Sequence, residues 1–175
     1  TPNEYIVTPQ QAESDLAWLK EHGYTSVSAQ QLIEYTHGKG SLPDKPVLIT
    51  LDDGFYNNLS EFLPLLEKYD MNAIISIVGK YTNDNAFADP HIPSYSYLTW
   101  DDISELLDSD RIEIGNHTYD LHSIKTERKG CAKLPHETNQ EYVDLFTADI
   151  GRLQSEMIQN TGFDPIVFAY PFGSI

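Results

Sequence analysis

The 175-residue sequence predicts one α/β domain built on parallel strands. Three observations support this. Short apolar runs rich in β-branched residues alternate with helical patterns along the whole chain. Thr8, Ser28 and Thr99 stand where helix caps are needed. No internal repeat or low-complexity linker interrupts the alternation. The pattern alone leaves open whether the sheet stays open or closes into a barrel. In either case chemistry belongs at the carboxyl ends of the strands.

In chain order, Thr8-Pro9-Gln10-Gln11 reads as a capping box with proline at the first helical position. The helix that follows should run to about His22, with Ala12, Leu16 and Leu19 on one face and Gly23 ending it. Ser28-Ala29-Gln30-Gln31 repeats the box and opens a short second helix. Residues 46–51, PVLITL, read as a strand buried on both faces. Leu59, Phe62, Leu63 and Leu66 have helical spacing, and residues 73–78, AIISIV, form another buried strand. Thr99 caps a helix carrying Ile103, Leu106 and Leu107, and residues 111–115 form a brief strand. A longer helix over 139–160 should turn Leu145, Phe146, Ile150, Leu153 and Met157 inward, and residues 167–170 close the series as a strand.

Composition narrows the function classes. Eleven basic against 27 acidic side chains give a formal charge of −16, which argues against nucleic acid and anionic membranes as partners. A neutral or cationic polymer is compatible. Residues 125–133 hold four of the 11 basic residues and read as an exposed loop. The one cysteine, Cys131, lies in that loop and reads as incidental. No apolar run approaches the roughly 18–20 residues needed to span a bilayer. The chain starts at Thr1 without methionine, as a trimmed sequence does.

Three segments at expected strand ends carry unusual polar chemistry. Asp52-Asp53-Gly54 follows the first buried strand. It can be a turn, but the next segment is helical rather than a hairpin partner. Adjacent carboxylates at an apolar strand mouth are tolerable when a cation binds one of them. His117 and His122 are five positions apart. That spacing is about 140° on a helix and falls on opposite faces of a strand, so both rings reach one ion only from a loop. Residues 169–173, AYPFG, form a tight turn able to aim backbone N–H groups. One carboxylate and two imidazoles are a standard Zn²⁺ ligand set with a position left for water, and a second carboxylate beside them supplies a general base.

At these residues the chain resembles the polysaccharide deacetylases of carbohydrate esterase family 4, the NodB homology domain. Thr50-Leu51-Asp52-Asp53-Gly54 is similar to the family's TFDDG motif. His117 to His122 is similar to its H-[ST]-x-x-H motif with one residue added, and Phe168 to Gly173 to its R-x-P-Y turn. The five-residue histidine spacing and the FAYP turn are most similar to the poly-β-1,6-N-acetylglucosamine deacetylase branch. The resemblance implies an incomplete or distorted (β/α) barrel, with parallel strands and outer helices, covering residues 1–175 as one domain truncated at one or both ends. It implies that Asp53, His117 and His122 hold one divalent ion, Zn²⁺ first, with Co²⁺, Ni²⁺ and Fe²⁺ also compatible. It makes Asp52 the general base and the backbone N–H of Phe172 an oxyanion donor. Tyr56, Tyr119, Tyr170 and Phe172 flank the motifs as expected sugar-binding walls, with packing as the alternative. Asn116 and Thr118 shape the ligand loop. Ala169 stands where relatives carry an arginine that orients the base. The implied activity is removal of N-acetyl groups from N-acetylglucosamine units of a secreted or cell-surface polysaccharide. O-acetyl esterase action and a non-catalytic carbohydrate-binding relative are the alternatives.

Overall fold

A computed structural model describes residues 7–85, 91–124 and 127–174. Helix α1 (Pro9–Glu21) starts where expected: Thr8 Oγ1 accepts from the Gln11 N–H at 3.2 Å, and Pro9 takes the first helical position. The box is only half formed, because the Gln11 amide donates to Asp15 instead. Helix α2 (Ala29–Thr36) has the complete reciprocal box from Ser28 and Gln31.

The expected strand over 46–51 is corrected. It divides into β2 (Pro46–Val47), which pairs in parallel with β1 (Thr25–Ser26), and β3 (Thr50–Asp53), which enters a second sheet. Leu48, where the chain changes sheets, is 38% exposed. Burial on both faces therefore fails here, because β3 is an edge strand whose alternate residues meet solvent. Strand β4 (Ala73–Ile77) lies in the middle of this three-stranded sheet and is buried at every position, as its sequence predicts. Strand β5 (Ile112–Asn116) pairs parallel to β4. The strand expected over 167–170 is reduced to one parallel bridge, Asn116 to Phe168. Pro171 stops it there, since it has no N–H to donate and opens a 3₁₀ turn over Pro171–Gly173. Among the described residues the strands do not close on themselves, in keeping with the incomplete barrel that the resemblance implies.

Helices cover this sheet. A π-helical turn (Asn58–Phe62) runs into α3 (Leu63–Tyr69), which packs on α1. Helix α5 (Trp100–Asp108) and α6 (Asn139–Thr161) pack against β5 and each other. Leu66, Ile75, Ile77, Leu98, Ile103, Leu106, Leu153 and Met157 form the fully buried centre of one core. Leu145 was expected inward but is 39% exposed. It lies about 100° around the helix from the stripe that runs through Phe146, Ile150, Leu153 and Met157.

Two further differences matter for function. Helix α4 (Gly79–Asn85) was not expected, because its polar sequence has no apolar period. The segment read as an exposed basic loop is folded on itself from Glu127 onward, and Lys125 lies outside the described residues. Arg128 pairs with Glu137 and donates to the Ala132 carbonyl, Tyr142 donates to the Cys131 carbonyl, and Cys131 is fully buried.

Candidate metal centre

Strand register places the centre. Asp53 pairs with Ile77, Ile77 with Asn116, and Asn116 bridges to Phe168. All three motifs of the sequence therefore end on one rung at the carboxyl edge. At about 4.8 Å per strand, the backbones of Asp53 and Asn116 stand roughly 10 Å apart, a gap that an aspartate and a histidine side chain close from either side.

They do close it. Asp53 Oδ1 lies 3.5 Å from His117 Nε2 and 3.0 Å from His122 Nε2. One ligand atom from each of the three residues falls within 4.8 Å of the other two. Ligand atoms around a tetrahedral ion with bonds of about 2.0–2.1 Å stand roughly 3.3–3.4 Å apart, close to the two distances from Asp53, so the group could hold a metal ion.

Both rings are also held in the tautomer that a cation needs. His117 Nδ1–H donates to the Ala169 carbonyl at 2.8 Å, which leaves Nε2 to face Asp53. The Tyr81 hydroxyl lies 3.1 Å from the His122 carbonyl and 3.2 Å from His122 Nδ1. It donates to the first and accepts from the second, and again leaves Nε2 for Asp53. Such outer contacts set ring orientation and ligand basicity. Burial pushes the Asp53 carboxyl up, but the hydrogen bond with His122 and the electrostatic pull of His122 and His117 outweigh it and hold the group below the usual carboxylate range.

Three of the motif residues have left-handed backbone: Asp53 at φ 71°, Thr118 at φ 76° and Phe172 at φ 57°. For a β-branched threonine this is a true outlier, and each such residue stores on the order of 1–3 kcal/mol. Each lies at or just past the end of a strand or bridge, where the chain turns off the carboxyl edge. Gly54 follows Asp53 with φ 71°, and a Cβ there would sit 2.8 Å from Ile77 Cγ2. The Asp-Gly pair is thus not a hairpin turn but a close pass of backbone over β4.

The remaining expected residues divide. Asp52 is exposed at the end of β3, beside the cluster in sequence. Phe172 is 43% exposed and its ring lies 4.5 Å from that of His122. Tyr170 is 41% exposed and leans on Phe146 and Phe168. Tyr56 is half-buried against the core and the His91 ring. Tyr119 is taken up in packing: the Arg152 guanidinium lies 3.4 Å over its ring and donates to its hydroxyl. Asn116 and Thr118 do shape the loop. The Asn116 side chain accepts from the Thr118 N–H and donates to the Ile150 carbonyl. The Thr118 hydroxyl is buried and has no partner among the described residues.

Sequence reading missed Tyr81, on the unexpected α4, and Asp149 on α6. Asp149 had a visible signal: a carboxylate on the apolar stripe, three residues after Phe146 and four before Leu153.

Residues 39–175 match the family model for polysaccharide deacetylase. The chain belongs to the polysaccharide deacetylase family. The chain is 28% identical over 176 residues to the poly-β-1,6-N-acetyl-D-glucosamine N-deacetylase of Escherichia coli K12, covering 90% of the chain and 26% of that protein. It is 26% identical to the enzyme of the same name from Staphylococcus epidermidis, covering 98% of the chain and 55% of that protein. It therefore spans about a quarter to a half of the length of these relatives. A de-N-acetylase from Aggregatibacter actinomycetemcomitans has the same fold, with a TM-score of 0.85 and 25% identity over all of this chain and 73% of that one.

Proposed function

We propose that this deacetylase chain hydrolyses N-acetyl groups from N-acetylglucosamine units of an extracellular or cell-surface polysaccharide, with one divalent cation held by Asp53, His117 and His122. The convergence of these three side chains, with both Nδ1 atoms already engaged, carries the reading. The substrate class comes from the poly-β-1,6-N-acetyl-D-glucosamine named for the relatives. A secreted or surface location goes with that substrate, and no described helix is long and apolar enough to cross a membrane.

When bound, a divalent cation supplies Lewis acidity and makes a water acidic enough to deprotonate near neutral pH, with Zn²⁺ the first candidate. Asp52 takes the proton of the attacking water. The Phe172 N–H, in the Pro171–Gly173 turn, donates to the acetyl oxygen as charge develops on it. One donor of this kind is worth about 3–4 kcal/mol in the barrier. Tyr170 and Phe172 offer exposed aromatic faces to sugar rings, and Tyr56 is half-buried. Tyr119 is left out of that wall by its contacts with Arg152.

The test is acetate release from β-1,6-linked N-acetylglucosamine oligomers and from acetylated xylan, with metal supplied. Release from the first and not the second is expected. Asp53→Ala and His117→Ala should lose the metal, measured by elemental analysis after dialysis. Asp52→Asn should keep it and lose about 10²–10⁴ in turnover, the usual share of a general base. Full activity in any of the three removes the assignment.

A further inference from the structure

The histidine segment is one residue longer than the family motif it resembles, and the added length leaves more backbone to satisfy inside a half-buried loop. The Thr118 and Tyr119 carbonyls accept from the first N–H groups of α4, Gly79 at 3.1 Å and Lys80 at 3.0 Å. Those donors have no partner within their own helix. The Thr118 N–H goes to the Asn116 side chain. The Tyr119 and Asp120 N–H groups both donate to a single carboxylate: Tyr119 to Asp149 Oδ1 at 2.7 Å, Asp120 to Asp149 Oδ2 at 2.9 Å.

We infer that Asp149 is a positioning residue for the metal centre, a bidentate clamp that holds the His117–His122 loop at the curvature bringing both Nε2 atoms to Asp53. The inference rests on the metal-centre reading above. Three features separate the clamp from ordinary loop anchoring. It grips the middle of the loop, two and three residues from one histidine and three and two from the other. It reaches the loop from α6, whereas α4 holds the loop carbonyls from the other side, so the loop is fixed between two helices. And Asp149 stands on the inner stripe of α6, so its position follows the core through Leu153.

The test uses metal-free protein titrated with Co²⁺, followed by its visible absorption, and with Zn²⁺ in competition with a chromophoric chelator. Asp149→Ala should weaken both metals by roughly 10- to 100-fold, the range seen when an outer contact of a ligand is removed. Asp149→Asn keeps the shape and one acceptor but turns an N–H against an N–H, and should weaken them less. It carries the test if the alanine variant does not fold. Amide exchange at Tyr119 and Asp120 should quicken in both variants. At saturating Co²⁺ the spectrum and the acetate-release rate should recover, which a residue touching substrate would not permit. If folded variants bind Co²⁺ within threefold of the unaltered protein, Asp149 is only a loop anchor and the inference falls. If the unaltered protein binds neither metal, the metal-centre reading falls and takes this one with it.

Discussion

Asp53 and Gly54 show how closely backbone and chemistry are tied at single residues. Each has a φ of 71°, and the second passes over Ile77 with no room for a methyl group. Gly54→Ala adds about 1–2 kcal/mol of left-handed strain and about 1–3 of crowding, roughly 2–5 kcal/mol in all. Urea unfolding should show that loss, and Co²⁺ binding should weaken with it, because relief of the clash moves Asp53. A lower urea midpoint with unchanged metal affinity would separate the two. Cys131 gives a second residue-level expectation. Burial pushes its thiol up to about 11 from a starting value of 9.0, with the nearby Asp149 charge adding to the shift. The thiol of the unfolded chain ionises first, so the native state is favoured fully below about 9 and loses that advantage as pH rises toward 11. Urea midpoints of the parent should fall more steeply across that window than those of Cys131→Ala. Iodoacetamide should label the native thiol far more slowly than the unfolded one.

Between elements, the centre depends on joints that connect strand ends to helices. Asn116 is the main one: its backbone closes β5 and bridges to Phe168, and its side chain ties the Thr118 N–H to the Ile150 carbonyl of α6. Asn116→Ala leaves a buried N–H without its acceptor, a loss of about 1–3 kcal/mol. Chemical denaturation should record it, and the apo-to-metal rise in Tm should shrink because the loop is less ordered before the ion arrives. An unchanged rise would mean that the joint supports the fold alone. Much of this level was legible in sequence. Thr8, Ser28 and Thr99 mark their helices by local hydrogen bonds that nothing distant overrides, and β4 announces itself because a central strand is apolar at every position. The division of 46–51 was not legible, since leaving one sheet for another depends on which neighbours lie alongside. Nor was α4, which is held by the histidine loop and core contacts rather than by a stripe of its own. The candidate site followed the same rule. Its ligands stood out by residue type and strand-end position, whereas Tyr81 and Asp149 act through contacts 41 and about 30 residues away in sequence.

Across the whole molecule, charge is the property that no single residue explains. Eleven basic and 27 acidic side chains leave −16, a field that a neutral acetylated polymer does not sense. The proposed reaction changes that, because each acetyl group removed leaves an amine that is largely protonated near neutral pH. Product therefore becomes cationic while it lies on an anionic surface, and it should be held more tightly than substrate at low ionic strength. Screening decides how much: the Debye length falls from about 30 Å at 0.01 M salt to about 8 Å at 0.15 M. A partly deacetylated oligomer added as inhibitor should lose affinity steeply over that range, whereas KM for the fully acetylated oligomer should hardly move. Initial rates measured at both ionic strengths with both oligomers settle the matter. Equal salt dependence for the two would mean that the acidic surface faces away from the polymer and serves solubility alone.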